Sequence, residues 1–212
     1  CGLRADGLDK DSSEIPSIEK KSNTLQEVKK KPIFWIYSLS LSIHALFGTA
    51  LVFHIVSIFD EVGKGRAEAF SYFIPAAIFS TLSNLFASWV SDKINLKPIL
   101  IAMLFSFCLG SFGFIYLINS WGFWLLAFGF GVGGGLWGVI SNLTFIRFFG
   151  PKHLGEISGL SASLNVIGSA IGPAAFSLGF DFFGSYVAPA KICLALIIIL
   201  LLVAIFLKQK EE

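Results

Sequence analysis

The sequence predicts an all-α polytopic membrane protein, a bundle of six transmembrane helices. Of its 212 residues, 55% are hydrophobic and only 14% are charged, a composition that is not typical of soluble domains. Six apolar stretches are each long enough to cross a hydrocarbon layer of about 30 Å. The net charge of +2 is too small to indicate a nucleic-acid partner.

The chain is expected to contain three regions. Residues 1–32 are polar and Lys-rich without an apolar period, which predicts a flexible, water-exposed segment. Residues 33–207 hold the membrane spans, and residues 208–212 form a short tail. We place the spans at residues 33–59, 69–91, 99–118, 121–146, 158–180 and 187–207. The short joins between them favour antiparallel neighbours.

Lysine and arginine residues predict the orientation of the spans. With the N-terminus in the cytosol, thirteen of these residues lie on the cytosolic side and three, Lys64, Arg66 and Lys191, lie outside. Because loops rich in these residues stay in the cytosol, both termini are predicted to be cytosolic. The protein is expected to be integral to a plasma or inner membrane.

The fifth span is predicted to be a close-packing helix. Gly168 and Gly172 lie four residues apart, directly before Pro173. A polar stripe at helical spacing follows the same helix: Ser158, Ser161, Asn165 and Ser169. Small residues let a neighbouring backbone approach closely in lipid, and a proline is tolerated where neighbouring groups satisfy the freed carbonyl group. The pattern favours a helix that packs inside a bundle and is able to bend there.

Polar residues inside the spans are the candidates for the substrate pathway. His44 lies near the middle of the first span, where an ionisable group is a candidate proton carrier or partner for an anionic solute. The alternative is a neutral histidine that hydrogen-bonds across a helix interface. His54, about 15 Å further along the helix, is expected at the outer mouth. Three asparagines are predicted to line the cavity or to join helices: Asn84, Asn142 and Asn165.

Charged residues mark the cytosolic ends of the spans. Asp92 ends the second span, and its carboxylate is expected to face the positive N-terminal end of the fifth span and hold an inner gate shut. The alternative is that Asp92 and Lys93 merely end a helix among the lipid headgroups. Arg147 lies at the inner end of the fourth span, where it is expected to contact a headgroup, a carboxylate or the inner gate.

Two motifs resemble the major facilitator superfamily. The join Ser88-Trp-Val-Ser-Asp92-Lys93-Ile-Asn-Leu-Lys97 is similar to the Gly-x-x-x-Asp-Arg/Lys-x-Gly-Arg-Arg/Lys loop of that superfamily. Asp92, Lys93 and Lys97 match the loop. Three residues depart from it, as in the degraded second copy between spans eight and nine: Ser88, Asn95 and Leu96. The glycines and proline at 168, 172 and 173 resemble the glycine-proline bend motif of these transporters.

Two further stretches are similar to the monocarboxylate and oxalate-formate-like branch of that superfamily. Residues 147–159 resemble its loop between spans ten and eleven, and residues 51–59 resemble the outer half of its span seven. Residues 2–7 resemble the stretch that leaves span six. The resemblance therefore identifies the chain as the C-terminal half, spans seven to twelve, and implies that the first six spans are missing from it.

The resemblance implies a secondary transporter that moves a small organic solute by alternating access. In this branch the solute would be an organic anion, with a coupled proton. No enzymatic activity, cofactor or metal is implied, and the expected partners are the lipid bilayer, the solute and the missing N-terminal six-helix half. Residues 69–91 lack the acidic and basic pair that is typical of monocarboxylate transporters. The alternative function is that of a non-transporting six-helix receptor or assembly subunit.

Overall fold

The computed structural model describes residues 22–207, whose regular structure is entirely helical. Its helices are α1 Leu25–Val28, α2 Pro32–Glu61, α3 Arg66–Ser71, α4 Phe73–Ser91, α5 Leu96–Ile115, α6 Ser120–Phe149, α7 Leu154–Phe183 and α8 Val187–Phe206. Six segments are long and apolar enough to cross a membrane, with α3 and α4 together forming one, Arg66–Ser91. The predicted fold class and all six spans are thus confirmed. The expectations for residues 1–21 and 208–212 lie outside the described residues.

Several helices extend further than the predicted spans. Helix α7 begins at Leu154 instead of residue 158 and ends at Phe183 instead of residue 180. Helix α6 continues to Phe149, three residues beyond the predicted end. The apolar pattern marks only the part of a helix that lies in hydrocarbon, whereas the backbone hydrogen bonds continue into the headgroup layer. The additional residues are therefore the polar or glycine-containing ends of the same helices.

The second span is interrupted between α3 and α4 at Tyr72. Pro75 lies three residues further on and has no backbone N–H, so the carbonyl group of Ser71 lacks its helical donor. The proline ring also crowds that carbonyl group four residues earlier. The interruption therefore agrees with the bend that Pro75 permits in this span.

Residues 22–31 differ from the flexible segment that the sequence predicts. Helix α1 packs against the bundle through Val28, whose side chain is fully buried. The backbone N–H of Asn23 donates to the carbonyl oxygen of Phe149 at 2.9 Å, which ties this segment to the end of α6. A single buried valine and one backbone hydrogen bond leave no periodic signal in a Lys-rich sequence, which is why the pattern did not predict this packing.

Helix α6 packs between α4 and α5, and α8 packs against α5 and α2. Helix α7 packs mainly on α2. Glycines on two faces of α6 permit this close approach: a Cβ atom at Gly131 would lie 2.7 Å from the carbonyl oxygen of Ala76 on α4, and one at Gly133 would overlap the Phe107 ring on α5. Helices α4 and α7 are thereby left at the two edges of the bundle, with most of their surface exposed.

Candidate functional site

A cavity of about 580 Å³ lies among α2, the second span and α6. Its wall is mostly apolar and aromatic, and none of its lining residues is Asp, Glu, Lys or Arg. The residues that supply polar or aromatic groups are His44 and Thr49 from α2, Ser80 from α4, Tyr72 at the α3–α4 join, and Phe130 and Trp137 from α6. The cavity therefore suits a ligand that is bound largely through apolar contacts and few hydrogen bonds.

His44 is held in this cavity by ring stacking. Its imidazole ring is nearly parallel to the Phe107 ring, with the centroids 4.3 Å apart and an interplanar angle of 7°. Its Nδ1 atom is buried and has no hydrogen-bond partner among the described residues. The opposite edge of the His44 imidazole ring lies beside two glycines of the cavity wall. A Cβ atom added at Gly48 would be 3.7 Å from Cε1, and one added at Gly134 would be 4.0 Å from Nε2. Nε2 is thus the ring nitrogen on the cavity side.

The aromatic wall of the cavity was not predicted from the sequence. The indole Nε1 of Trp137 donates to the carbonyl oxygen of Leu41 at 3.2 Å, which fixes the indole across the α2–α6 contact. The Trp137 and His44 rings are 5.8 Å apart. Phe130 lies seven residues, or two helical turns, before Trp137 on the same helix. This spacing of two aromatic residues among glycines is the signal in the sequence from which the wall could have been found.

None of the three asparagines predicted for the substrate pathway lines this cavity. Nδ2 of Asn84 donates to the carbonyl oxygen of Gly135 at 2.9 Å and so joins α4 to α6. Nδ2 of Asn142 donates to the carbonyl oxygen of Gly138 within its own helix at 2.8 Å. Oδ1 of Asn165 accepts a hydrogen bond from the Ser42 hydroxyl group at 3.3 Å. The contacts of Asn84 and Asn165 agree with the alternative role of joining helices, whereas that of Asn142 does not, and a contact of any of the three with solute stays a prediction.

The polar stripe of α7 faces α2. Besides the contact between Asn165 and Ser42, the hydroxyl groups of Ser169 and Thr49 are hydrogen-bonded at 2.9 Å. A Cβ atom at Gly168 would lie 2.7 Å from the carbonyl oxygen of Ser42, and one at Gly172 would overlap that of Leu46. The predicted close packing of this helix is therefore observed, and its partner is α2. Helix α7 is continuous through Pro173.

His54 joins three helices near the end of α2 that is predicted to face outside. Its Nε2 lies 3.0 Å from the carbonyl oxygen of Pro173, and because a carbonyl group only accepts, the imidazole is the donor. Its Nδ1 lies 3.4 Å from the hydroxyl group of Tyr186, which precedes α8. Glu61 stabilises the same corner, since its carboxylate accepts hydrogen bonds from the Ser185 hydroxyl group and the Tyr186 N–H. His54 thus has a structural contact at each ring nitrogen.

The carboxylate of Asp92 forms an ion pair with Arg147 on α6, a partner that the sequence did not single out, and its expected contact with the start of α7 stays a prediction. The ion pair spans 3.8 Å between Nη2 and the carboxylate, and the Asp92 side chain is 82% exposed. Arg147 also donates through Nη1 to the carbonyl oxygen of Ser91 at 2.8 Å. The physical reason is that α4 packs against α6, so the guanidinium group at the end of α6 is the cation within reach of the end of α4.

The two lysines of the same motif have different partners. The ammonium group of Lys93 lies 3.9 Å from the centre of the Trp89 ring, a cation–π contact within the same segment. Lys97 donates to the carbonyl oxygens of Ile205 and Leu207 at 2.8 and 2.7 Å. It therefore satisfies carbonyl groups that the end of α8 leaves without a helical donor, and it joins α5 to α8.

Six helices that are long and apolar enough to cross a membrane define the class of this protein as an integral membrane protein, and three of these spans line an open cavity. The family model described as Major Facilitator Superfamily matches the chain in two overlapping segments, residues 4–173 and 69–212. A comparison with curated proteins gave no match. The chain therefore belongs to the major facilitator superfamily, whose members transport solutes across membranes.

Proposed function

We propose that the chain is the C-terminal half of a secondary transporter that moves a small organic solute by alternating access. The observation that carries the proposal is the 580 Å³ cavity, whose wall comes from three different spans and includes His44 near the middle of the first. A site at this depth between helices is where such transporters bind their substrates. Helices α2, α4 and α6 would form one wall of the path, and a second six-helix half would form the other.

The exposed surfaces of α4 and α7 support a partner half. On α4, the small exposed residues Thr81 and Ser88 lie two helical turns apart on one face. On α7, a similar exposed stripe comprises Ser163, Ala170, Ala174 and Ser177. Bulky apolar residues, such as Ile78 and Leu82, occupy the adjacent face of α4. Because small residues favour contact between helices and bulky ones suit lipid, each edge helix would have one face for protein and one for the bilayer.

The proposed solute is an organic anion only on the resemblance to the monocarboxylate and oxalate-formate-like branch. No Lys or Arg lines the cavity in this half, so the cation that binds such a solute would come from the other half. His44 would then serve as a hydrogen-bond partner or as the site of a coupled proton. We also propose that both termini face the cytosol of a plasma or inner membrane, on the distribution of lysine and arginine.

Cysteine accessibility tests the aqueous path. Cys1, Cys108 and Cys193 are first replaced by serine or alanine, and Ala77→Cys is then compared with Ile78→Cys in the native membrane, in the full product of the gene. Ala77 lines the cavity and Ile78 does not, although both are exposed on the same helix. We expect a membrane-impermeant methanethiosulfonate reagent to label Ala77→Cys at least tenfold faster, since only water ionises a thiol efficiently.

Equal and slow labelling of the two variants would contradict the proposal. The cavity would then be filled by lipid, and the alternative of a non-transporting six-helix subunit would be favoured. A further outcome against the proposal would be rapid labelling of Ile78→Cys alone, because water would then lie on the face that we assign to the bilayer.

A further inference from the structure

A second, smaller cavity forms a groove between α2 and α8, with α7 at its floor. Its volume is about 280 Å³, and its lining includes Leu39, Ile43 and Leu46 from α2, Gly168 from α7, and Leu196 and Ile199 from α8. Ser42 is the single lining residue with a polar side chain. Its hydroxyl group lies within hydrogen-bond distance of two acceptors, the backbone carbonyl oxygen of Ser38 and the side-chain Oδ1 of Asn165. The groove therefore offers a ligand mainly apolar contacts.

The groove opens at the surface of the helix bundle. Leu39, Leu196 and Ile199 on its rim are 43%, 45% and 56% exposed. On α2, the groove residues lie on nearly the opposite side of the helix from His44 and Gly48, which line the 580 Å³ cavity. In a membrane-embedded protein, what fills an apolar groove on this side is hydrocarbon.

One end of the groove leads to basic residues. On α2, Trp35 lies one turn before Leu39 and so continues the groove face toward the start of the helix. Its Nε1 donates to the carbonyl oxygen of Lys29 at 2.8 Å, which holds the turn containing Lys29 and Lys30 beside that face. Both lysines are exposed, and neither side chain has a hydrogen bond or ion pair with a described residue.

Neighbouring Lys31 provides a contrast within the same turn. Its ammonium group bonds Oδ1 of Asn23 at 2.8 Å and lies 5.6 Å from the centre of the Phe149 ring. Lys31 is therefore engaged in holding α1 to α6, whereas Lys29 and Lys30 are two adjacent exposed cations without such a contact to residues 22–207, at the level where Trp35 marks the membrane surface.

We propose that the groove binds one anionic glycerophospholipid. One acyl chain lies along Leu39, Ile43 and Leu46, the glycerol region lies at Trp35, and the phosphate lies at Lys29 and Lys30. The apolar walls bind hydrocarbon through packing, and the two lysines attract a negatively charged headgroup. Gly168 lies in the lining of the groove, where the close packing of α7 on α2 closes its floor, since a Cβ atom at Gly168 would lie 2.7 Å from the carbonyl oxygen of Ser42.

Native mass spectrometry of the full chain tests the proposal. The protein is purified from vesicles of phosphatidylcholine with phosphatidylglycerol, and the lipids that stay bound are counted. We expect one retained phosphatidylglycerol molecule. Leu196→Trp, whose indole ring fills the groove, should retain neither phosphatidylglycerol nor phosphatidylcholine. Leu202→Trp is the matched control, because Leu202 is 50% exposed on the same helix and does not line the groove.

The headgroup contact is tested separately by Lys29→Gln with Lys30→Gln. This double variant should keep one bound lipid but lose its preference for phosphatidylglycerol over phosphatidylcholine, by about fivefold for each lysine. An unchanged preference would overturn the headgroup assignment. Equal lipid retention by Leu196→Trp and Leu202→Trp would overturn the groove itself. An Ile199→Phe variant repeats the groove test if Leu196→Trp does not fold.

Discussion

The Nε2 atom of His54 donates a hydrogen bond to the carbonyl oxygen of Pro173 across the α2–α7 interface, over 3.0 Å. The contact lies on the C-terminal side of the glycine pair, at the residue where α7 has no N–H of its own to donate. The tyrosine at position 186 reaches the other ring nitrogen. One side chain thus connects α2, α7 and the start of α8.

Replacing His54 is predicted to destabilise the contact that this residue makes with α7 and Tyr186. His54→Phe keeps a ring but removes the donor to Pro173, and we expect a loss of about 0.6 kcal/mol, up to roughly 1.7, in the free energy of unfolding. Unfolding of the purified protein in detergent measures it. His54→Gln, which retains an N–H donor, should lose less. If His54→Phe and the unaltered protein have the same free energy of unfolding, the hydrogen bond contributes nothing to stability.

Two glycines of α7 are predicted to respond to alanine with opposite signs. A Cβ atom at Gly172 would overlap the carbonyl oxygen of Leu46, so Gly172→Ala should destabilise the α2–α7 contact by about 1–3 kcal/mol. A Cβ atom at Gly159 meets nothing within 4 Å, so Gly159→Ala should raise stability by up to about 1 kcal/mol through helix propensity. Unfolding of both variants in detergent distinguishes them, and equal effects would contradict the packing.

At the inner corner, Arg147→Gln is predicted to cost more than Asp92→Asn. The ion pair between Arg147 and Asp92 is long and exposed, so the double-mutant cycle should give a coupling energy of about 0.5 kcal/mol or less. The hydrogen bond from Arg147 to the carbonyl oxygen of Ser91 is charge-assisted and half-buried, and its loss should cost about 1.5 kcal/mol. A larger effect for Asp92→Asn would show that the carboxylate has a stronger partner than Arg147.

Acid is predicted to loosen the N-terminal helix α1 through Glu27. The backbone N–H of Thr24, followed by Nδ2 of Asn23, donates to this carboxylate and lowers the pKa of Glu27 below its ordinary value. Because the folded pKa is the lower one, the stabilisation is present above the unfolded pKa and is lost as pH falls through the folded pKa. The protection of the Thr24 amide against hydrogen exchange, expressed relative to the intrinsic exchange rate at each pH, should therefore fall in acid.

The matched variant for this pH effect is Glu27→Gln. In this variant the Thr24 amide should exchange faster at neutral pH. Its protection relative to the intrinsic exchange rate should then change little further in acid. An acid response that persists in Glu27→Gln would assign the effect to another group.

The sequence predicted the spans well because hydrocarbon thickness imposes a minimum apolar length on every one of them. It also predicted that Gly168 and Gly172 lie at a close helix contact. It did not predict the partner of Asp92, since a pattern along one helix does not specify which helix lies beside it. The asparagines illustrate the same limit: a polar side chain in a span needs a partner, but Asn84 finds it in a neighbouring backbone carbonyl group instead of a solute.

The cavity itself was the least predictable feature. Trp137 and Tyr72 line it, yet in the sequence they resemble the aromatic residues that face lipid, such as Trp89. The packing of α2 and the second span against α6 separates the two groups. The tertiary arrangement thus determines which of many similar aromatic residues form a binding surface.

Helix α6 has glycines on both flanks, so α4 and α5 approach it to backbone contact. A Cβ atom at Gly129 would overlap the backbone of Gly110 on α5, and one at Gly135 would overlap α4 at Ser80 and Ser83. At these glycines the helices meet backbone to backbone, and rigid aromatic rings such as Phe107 and Phe130 fill the space between α5 and α6, so we expect the three helices to move as one stiff unit. In the proposed alternating-access motion, the movement would then occur in the loops that leave this unit and at the contact between α2 and α7, which is lined by the hydroxyl groups of Thr49 and Ser169.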